Sequence, residues 1–189
     1  MNLFSPLKIR SLEFKNRVFV SPMCQYSCEQ GVATDWHLVH LGARASGGAA
    51  LVMTEAAAVS PEGRISPADL GIWNEDQVQA LKRITQFIKS QHSIPAIQLA
   101  HAGRKASIDL PWLSGRPLPK DKGGWPVFAP SPLPFSKDFP VPLEMTETHL
   151  KNVKKEFIAA AYNSLAAGFS VIEIHMAHGY LFHQFLSPI

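Results

Sequence analysis

Cysteine is scarce in this chain: Cys24 and Cys28 are the only two among 189 residues. That is too few for a disulfide framework or a four-cysteine zinc site. Long apolar runs are missing as well. No stretch approaches the roughly 20 residues of a membrane span. Residues 1–15 alternate charge with short apolar runs and lack the continuous apolar segment of a signal peptide. Charge of one sign hardly accumulates, since the formal net charge is only +3. The densest basic group, Lys151, Lys154 and Lys155, has the spacing of a solvated helix face, which gives nucleic-acid binding little weight. No G-x-G-x-x-G follows the first apolar run, so a Rossmann dinucleotide site has no support. Gly103-Arg104-Lys105 lacks the upstream glycine of a phosphate loop and is set aside for that reason. A soluble chain in a reducing cytoplasm, with neither membrane nor nucleic acid as partner, is the expectation.

What is present reads as one globular domain spanning residues 1–189. Hydrophobic residues make up 46% and charged residues 17%, a balance that excludes disorder. Four short apolar runs stand out: Val18 to Ser21, Ala50 to Thr54, Ala96 to Leu99, and Val171 to His175. Near-continuous runs of this length suit strands covered on both faces, as in parallel sheets. Helical patterns lie between them. One runs from about Asp35 to Ala45 and ends at Gly47-Gly48. Asn74 can cap a second, with Gln77 as its capping-box partner and Val78, Leu81, Ile84 and Ile88 as one apolar stripe. Thr146 can cap a third, with Leu150, Val153, Phe157 and Leu165 inward and Gly168 as the stop. Strands alternating with helices define an α/β protein with a parallel sheet. Ile9 to Phe14, before the first strand, has room for a hairpin turning near Arg10-Ser11. The connection from Ala100 to Met145 is long and rich in proline, glycine and tryptophan, and follows the carboxyl end of a strand, where such folds build their sites.

The residues just past each strand carry the chemistry. After the first come Pro22, Met23, Cys24, Gln25 and Tyr26; after the second, Glu55, Ala56 and Ala57. The third carries Gln98 and His101, and the fourth His175, His178 and Tyr180. Parallel strands bring these ends to one rim, so a thiol, two phenols, an amide and three imidazoles are expected around one pocket. Bland readings stand beside this one. Cys24 could be an inert buried thiol, Ala56 core filling, and Tyr180 a packing aromatic. The sharpest alternative is a metal-dependent hydrolase, with His175 and His178 ligating zinc and Glu173 or His101 completing the set. A non-catalytic assembly module is another.

Ser21-Pro22-Met23-Cys24-Gln25-Tyr26, Ala100-His101-Ala102-Gly103-Arg104-Lys105 and His175-Met176-Ala177-His178-Gly179-Tyr180-Leu181 together resemble the old yellow enzyme family. Pro61-Glu62-Gly63-Arg64-Ile65 and Gly71-Ile72-Trp73 agree with it. The cysteine after Pro22-Met23 resembles the subgroup that includes bacterial xenobiotic reductases and NADPH dehydrogenases. The resemblance implies a (β/α)8 TIM-type barrel holding FMN, of which this chain supplies about the first four βα units. It implies flavin contacts from Ser21, Pro22, Met23 and Cys24, close approach of the ring at Ala56, and a hydrogen bond from Gln98 to the ring's pyrimidine edge. Tyr26, His175 and His178 would bind the substrate, the two histidines both donating to its carbonyl oxygen. Tyr180 would act as general acid. The implied reaction passes hydride from NADPH through FMN to the activated C=C bond of an α,β-unsaturated carbonyl compound.

The same resemblance implies about as much chain again, bearing the FMN phosphate loops and an arginine facing the flavin. The partners expected are therefore small activated alkenes and a C-terminal half-barrel, or self-association through open strand edges. An intact member of the family is expected to be a homo-oligomer.

Overall fold

A computed structural model describes residues 2–188; Met1 and Ile189, the ends of the expected domain, lie outside the described residues. The chain opens with a hairpin, β1 (Leu7–Ile9) against β2 (Leu12–Phe14), with Leu7 opposite Phe14. Arg10 takes a left-handed φ of 53° at the expected turn. Four strands then form one sheet in the order β3 (Phe19–Val20), β4 (Leu51–Ala58), β5 (Ile94–Ala100) and β8 (Val171–Ile174). Every pairing in it is parallel. Helices α1 (Asp35–Ser46), α2 (Glu75–Ser90) and α3 (Glu147–Ala166) provide the crossovers, and a short α4 (Leu181–Leu186) follows β8.

The helix starts follow from local chemistry. Asn74 Oδ1 accepts the backbone N–H of Gln77, and the Gln77 side chain returns to the Asn74 backbone, the reciprocal capping box. Thr146 and His149 do the same for α3. Val78, Leu81, Ile84 and Ile88 all face inward, each no more than 3% exposed. With Leu41 and Ala45 of α1 and Phe157 and Ala160 of α3, they cover one face of the sheet through Val52, Ala57, Ile97 and Leu99. Alternation sends Leu51 and Met53 to the opposite face, where Phe14 of the hairpin plugs the amino-terminal end of the strands.

Two expectations about α3 need correction. Leu150 is 41% exposed and Leu165 61%, so neither points inward. The buried positions are Phe157, which was expected inward, and the small residues Ala160 and Ser164, which let α3 approach closely. Gly168, with φ of 91°, does end the helix at the expected place. The long connection is also more ordered than its composition suggests. It contains a two-residue parallel pair, β6 (Phe128–Ala129) with β7 (Leu143–Glu144). Trp125 Nε1 donates to the Glu62 carbonyl at 3.0 Å. The Arg64 guanidinium lies over Trp73 and Trp125, at 5.6 and 5.1 Å from their ring centroids, and ties this connection to the rim after β4.

Candidate functional site

The carboxyl ends of β3, β4, β5 and β8 surround a cleft of about 350 Å³. Ser21, Pro22 and Cys24 enter it from the segment after β3, Ala56 from β4 and Gln98 from β5. Glu173, His175, His178 and Tyr180 enter from β8 and the turn beyond it. Sequence reasoning placed Ala56 beyond its strand, but β4 runs on to Ala58. Its register against β5 shifts between Met53 and Ala56, an irregularity of the kind that re-aims a strand next to a site. At Ala56 the side chain that enters the cleft is only a methyl group.

Gln98 is buried, and its Nε2 donates to Glu173 Oε1 at 2.6 Å. The two residues face each other across the β5–β8 pairing, so the register itself sets the bond. This leaves the Gln98 carbonyl oxygen and one amide hydrogen for a ligand. His178 Nδ1 and His175 Nε2 lie 3.2 Å apart and share one hydrogen, so the imidazoles bond each other. The expectation that both donate to one substrate oxygen is thereby modified: an incoming oxygen must replace this contact. Burial and the neighbouring His178 lower the His175 pKa despite Glu173, which keeps the ring neutral near pH 7. Tyr180 packs edge-on against His175, with centroids 5.1 Å apart. Burial, with Cys24, Tyr26 and Asp69 nearby, pushes its phenol up, so it holds its proton.

Cys24 is pushed up to about 12 by burial and by the negative charges of Asp69 and Glu55. It is a thiol at neutral pH, not a thiolate. Tyr26 lies beside it and is likewise pushed up to about 12, mainly by burial.

The turn after β8 is unusual in its backbone. His178 and Gly179 are consecutive left-handed residues, with φ of 57° and 73°. For His178 this costs of order 1–3 kcal/mol and persists only if the surroundings hold it. They do so with three bonds. Lys105 Nζ donates to the His178 carbonyl at 3.0 Å, the Gly179 N–H donates to His183 Nδ1 at 2.7 Å, and Gln184 Nε2 donates to the Gly179 carbonyl at 2.7 Å. The Lys105 ammonium also lies over the Tyr180 ring, 5.1 Å from its centroid. The Ala100–Lys105 motif contains Lys105, whereas sequence reasoning missed Gln184, and nothing in their spacing marked what they support.

Three residues expected around the site are absent from the cleft lining. His101 does not reach the cleft. It is 3% exposed, its Nδ1 accepts the Gly103 N–H at 3.1 Å, and burial lowers it to about 4. Met23 is 44% exposed and outside the cleft lining. Tyr26 is not part of that lining either; its ring packs edge-on against Trp112, 5.8 Å away. The zinc set is not assembled, because Glu173 is bound to Gln98, His101 is turned away and the two histidines bond each other. Among the described residues, the one group of three metal-capable side chains is Cys28, His37 and Glu55, below the rim.

The donor set fits a flat heteroaromatic ring. An amide with a free acceptor and donor meets a ring edge, small residues flank a flat space, and a protonated thiol can sit against π-density without reacting. It does not fit a phosphate. Among the described residues that line the cleft there is neither lysine nor arginine, and Glu173 adds a negative charge.

Consecutive parallel βα units with a cleft at their carboxyl ends define a barrel-type architecture with its site at the usual end. Residues 2–189 match the NADH:flavin oxidoreductase / NADH oxidase family, and the chain belongs to it. It is 50% identical over 191 residues to an NADH:flavin oxidoreductase of Gibberella zeae, covering 99% of this chain and 46% of that protein. It is 48% identical over 189 residues to an NADPH dehydrogenase of Listeria monocytogenes, covering 99% and 52%. Old Yellow Enzyme from Pichia sp. AKU4542 superposes with a TM-score of 0.85 at 32% identity, covering 99% of this chain and 49% of that one. The four βα units are thus those of an Old Yellow Enzyme TIM barrel. The chain spans about half the length of the curated relatives that it matches.

Proposed function

We propose that this chain forms the ring-facing and substrate-facing part of an FMN-dependent ene-reductase, the N-terminal half of a single barrel domain. The supporting observation is the convergence of Cys24, Gln98, His175, His178 and Tyr180 on one cleft. Bound FMN would supply the chemistry of hydride relay, from NADPH to the activated C=C bond of an α,β-unsaturated carbonyl or related xenobiotic compound. Gln98 would hold the pyrimidine edge of the ring, with Ser21, Pro22 and Met23 contributing backbone. Cys24 would face the ring as a neutral thiol and tune its potential; its raised pKa argues against a nucleophilic role.

His175 and His178 would take the substrate oxygen in place of their mutual bond. Negative charge builds on that oxygen as the β-carbon is reduced, and two fixed N–H donors in a partly buried site stabilise it. A neutral His175 donates without carrying a full buried charge. Tyr180, protonated and packed against His175, would give a proton to the α-carbon. Tyr26, beside Cys24, would bound the substrate from the opposite side.

Open edges on β3 and β8, and the apolar cavity beside them that Phe19 and Val171 help to line, fit pairing with further strands of the same barrel or with another copy. Free Cys24 and Cys28 fit a reducing cytoplasm. Nothing in the cleft favours metal-dependent hydrolysis.

The test uses FMN-supplemented protein and a simple phenol, read through the flavin's visible spectrum. His175→Ala and His178→Ala should each weaken phenol binding and slow enone reduction by about a hundredfold, with less effect on flavin reduction by NADPH. Unchanged phenol binding in both variants, or loss of a stoichiometric zinc ion, contradicts the proposal.

A further inference from the structure

Beneath the segment that carries Cys24 and Tyr26 lies a buried network that the cleft does not use. Glu55, on β4 just before Ala56, is 3% exposed. Its Oε2 accepts the backbone N–H of Gln25 at 2.9 Å, and its Oε1 lies 3.0 Å from His37 Nε2. The other side of the imidazole fixes where its proton is. His37 Nδ1 accepts the backbone N–H of Thr34 at 3.0 Å, so Nε2 carries the hydrogen of the neutral ring and donates it to Glu55. That tautomer also removes Nε2 as a metal ligand, although Cys28 Sγ lies 3.3 Å away. The circuit closes on the same segment. Thr34 Oγ1 donates to the Ser27 carbonyl at 3.0 Å, Ser27 Oγ to the Gln25 carbonyl at 3.0 Å, and Trp36 Nε1 to Gln25 Oε1 at 3.0 Å.

A network is needed here because Tyr26 has a left-handed φ of 51°, which a tyrosine keeps only when its neighbours impose it. We propose that Glu55, oriented by His37, is a positioning residue that sets the Cys24 thiol at the cleft and the Tyr26 hydroxyl beside it. What those two groups face rests on the flavin reading above; their positioning does not.

The chemistry of the network selects its variants. Two donors arrive at two different carboxylate oxygens, so Glu55→Gln offers one acceptor and turns an N–H₂ against the other donor. His37 supplies one acceptor and one donor at the third position of α1. Gln77 performs the same task at that position of α2: its Oε1 accepts the N–H groups of Trp73 and Asn74 at 2.8 and 3.2 Å, and its Nε2 donates to the Gln30 carbonyl at 3.3 Å. His37→Gln therefore preserves the pattern, and His37→Leu removes it.

The experiment uses the full chain without flavin and reads amide hydrogen exchange at Gln25 and Tyr26, together with iodoacetamide alkylation of Cys24 followed by peptide mass. Glu55→Gln and His37→Leu should speed exchange at those amides by about tenfold or more and change the Cys24 alkylation rate. Protection at Ile97 and Leu99 should hold, and His37→Gln should behave as wild type. If Glu55→Gln does not fold, the His37 pair decides. Wild-type protection in His37→Leu, or loss of protection in His37→Gln equal to that in His37→Leu, overturns the proposal. A second arm adds FMN to the same proteins. Retained differences in exchange with no flavin uptake by wild type support the positioning role and overturn the flavin reading instead.

Discussion

Gln98 and Glu173 stand directly opposite each other on β5 and β8 and share a 2.6 Å hydrogen bond at the mouth of the cleft. The bond orients the Gln98 amide, since a carboxylate partner permits only the N–H₂ group toward itself. The carbonyl oxygen then points away from Glu173. Glu173→Ala should release this orientation and weaken flavin binding by about tenfold, with little effect on thermal stability because Glu173 is exposed. Flavin fluorescence titration and thermal denaturation of the two proteins give the comparison.

Cys24 should behave as a buried thiol. With a pKa near 12, it should alkylate more slowly at pH 8 than a free cysteine, and its rate should keep rising to about pH 10 without a plateau. Cys24→Ala should shift the flavin reduction potential and change turnover modestly. A plateau below pH 8, or complete loss of turnover with normal flavin content, would show that the thiolate is the working form.

Two buried groups should give stability opposite pH dependences. Asp69 is raised from 3.8 to about 6 by burial, although Ser66 Oγ and the Ile65 N–H each donate to it at 2.6 Å. Between those values the native state holds a proton that the unfolded chain has lost, so stability falls as pH rises through that window. His101 is lowered from 6.5 to about 4, so the unfolded chain holds the extra proton and stability rises with pH through its window. Each effect is about 3 kcal/mol at full extent, and between about pH 4 and 6 they largely cancel. Asp69→Asn should expose the histidine slope, making the protein less stable at pH 4.5 than at pH 6. His101→Gln should expose the opposite slope. Chemical denaturation across that range measures both, and parallel curves for the three proteins would contradict the assignment.

Much of this arrangement was legible in the sequence because its signals are local. Capping pairs such as Asn74 with Gln77, and apolar runs bounded by glycine, fix elements without knowledge of the tertiary fold. The ends of the expected strands placed Cys24, Gln98, His175, His178 and Tyr180 at one rim, and the structure brings those five together. The failures come from information that spacing does not carry. His101 sits one residue past β5, yet the Gly103 N–H binds its ring from behind and turns it away from the cleft. Leu150 and Leu165 match a helical stripe, but α3 packs through Ala160 and Ser164 instead. The Glu55–His37 network joins residues 18 positions apart through one side-chain bond, which no periodicity announces.

The central claim is that this chain recognises a flavin by its ring. Because no lysine or arginine lines the described cleft, the phosphate of FMN should add little to binding here. Titration of the full chain with FMN and with riboflavin, read by quenching of flavin fluorescence, compares the two directly. The account predicts saturable binding of both, in the micromolar range or weaker, with affinities within about threefold of each other. It also predicts a loss of about tenfold or more for both ligands in Gln98→Leu. FMN binding a hundredfold tighter than riboflavin, or equal binding by wild type and Gln98→Leu, would contradict it.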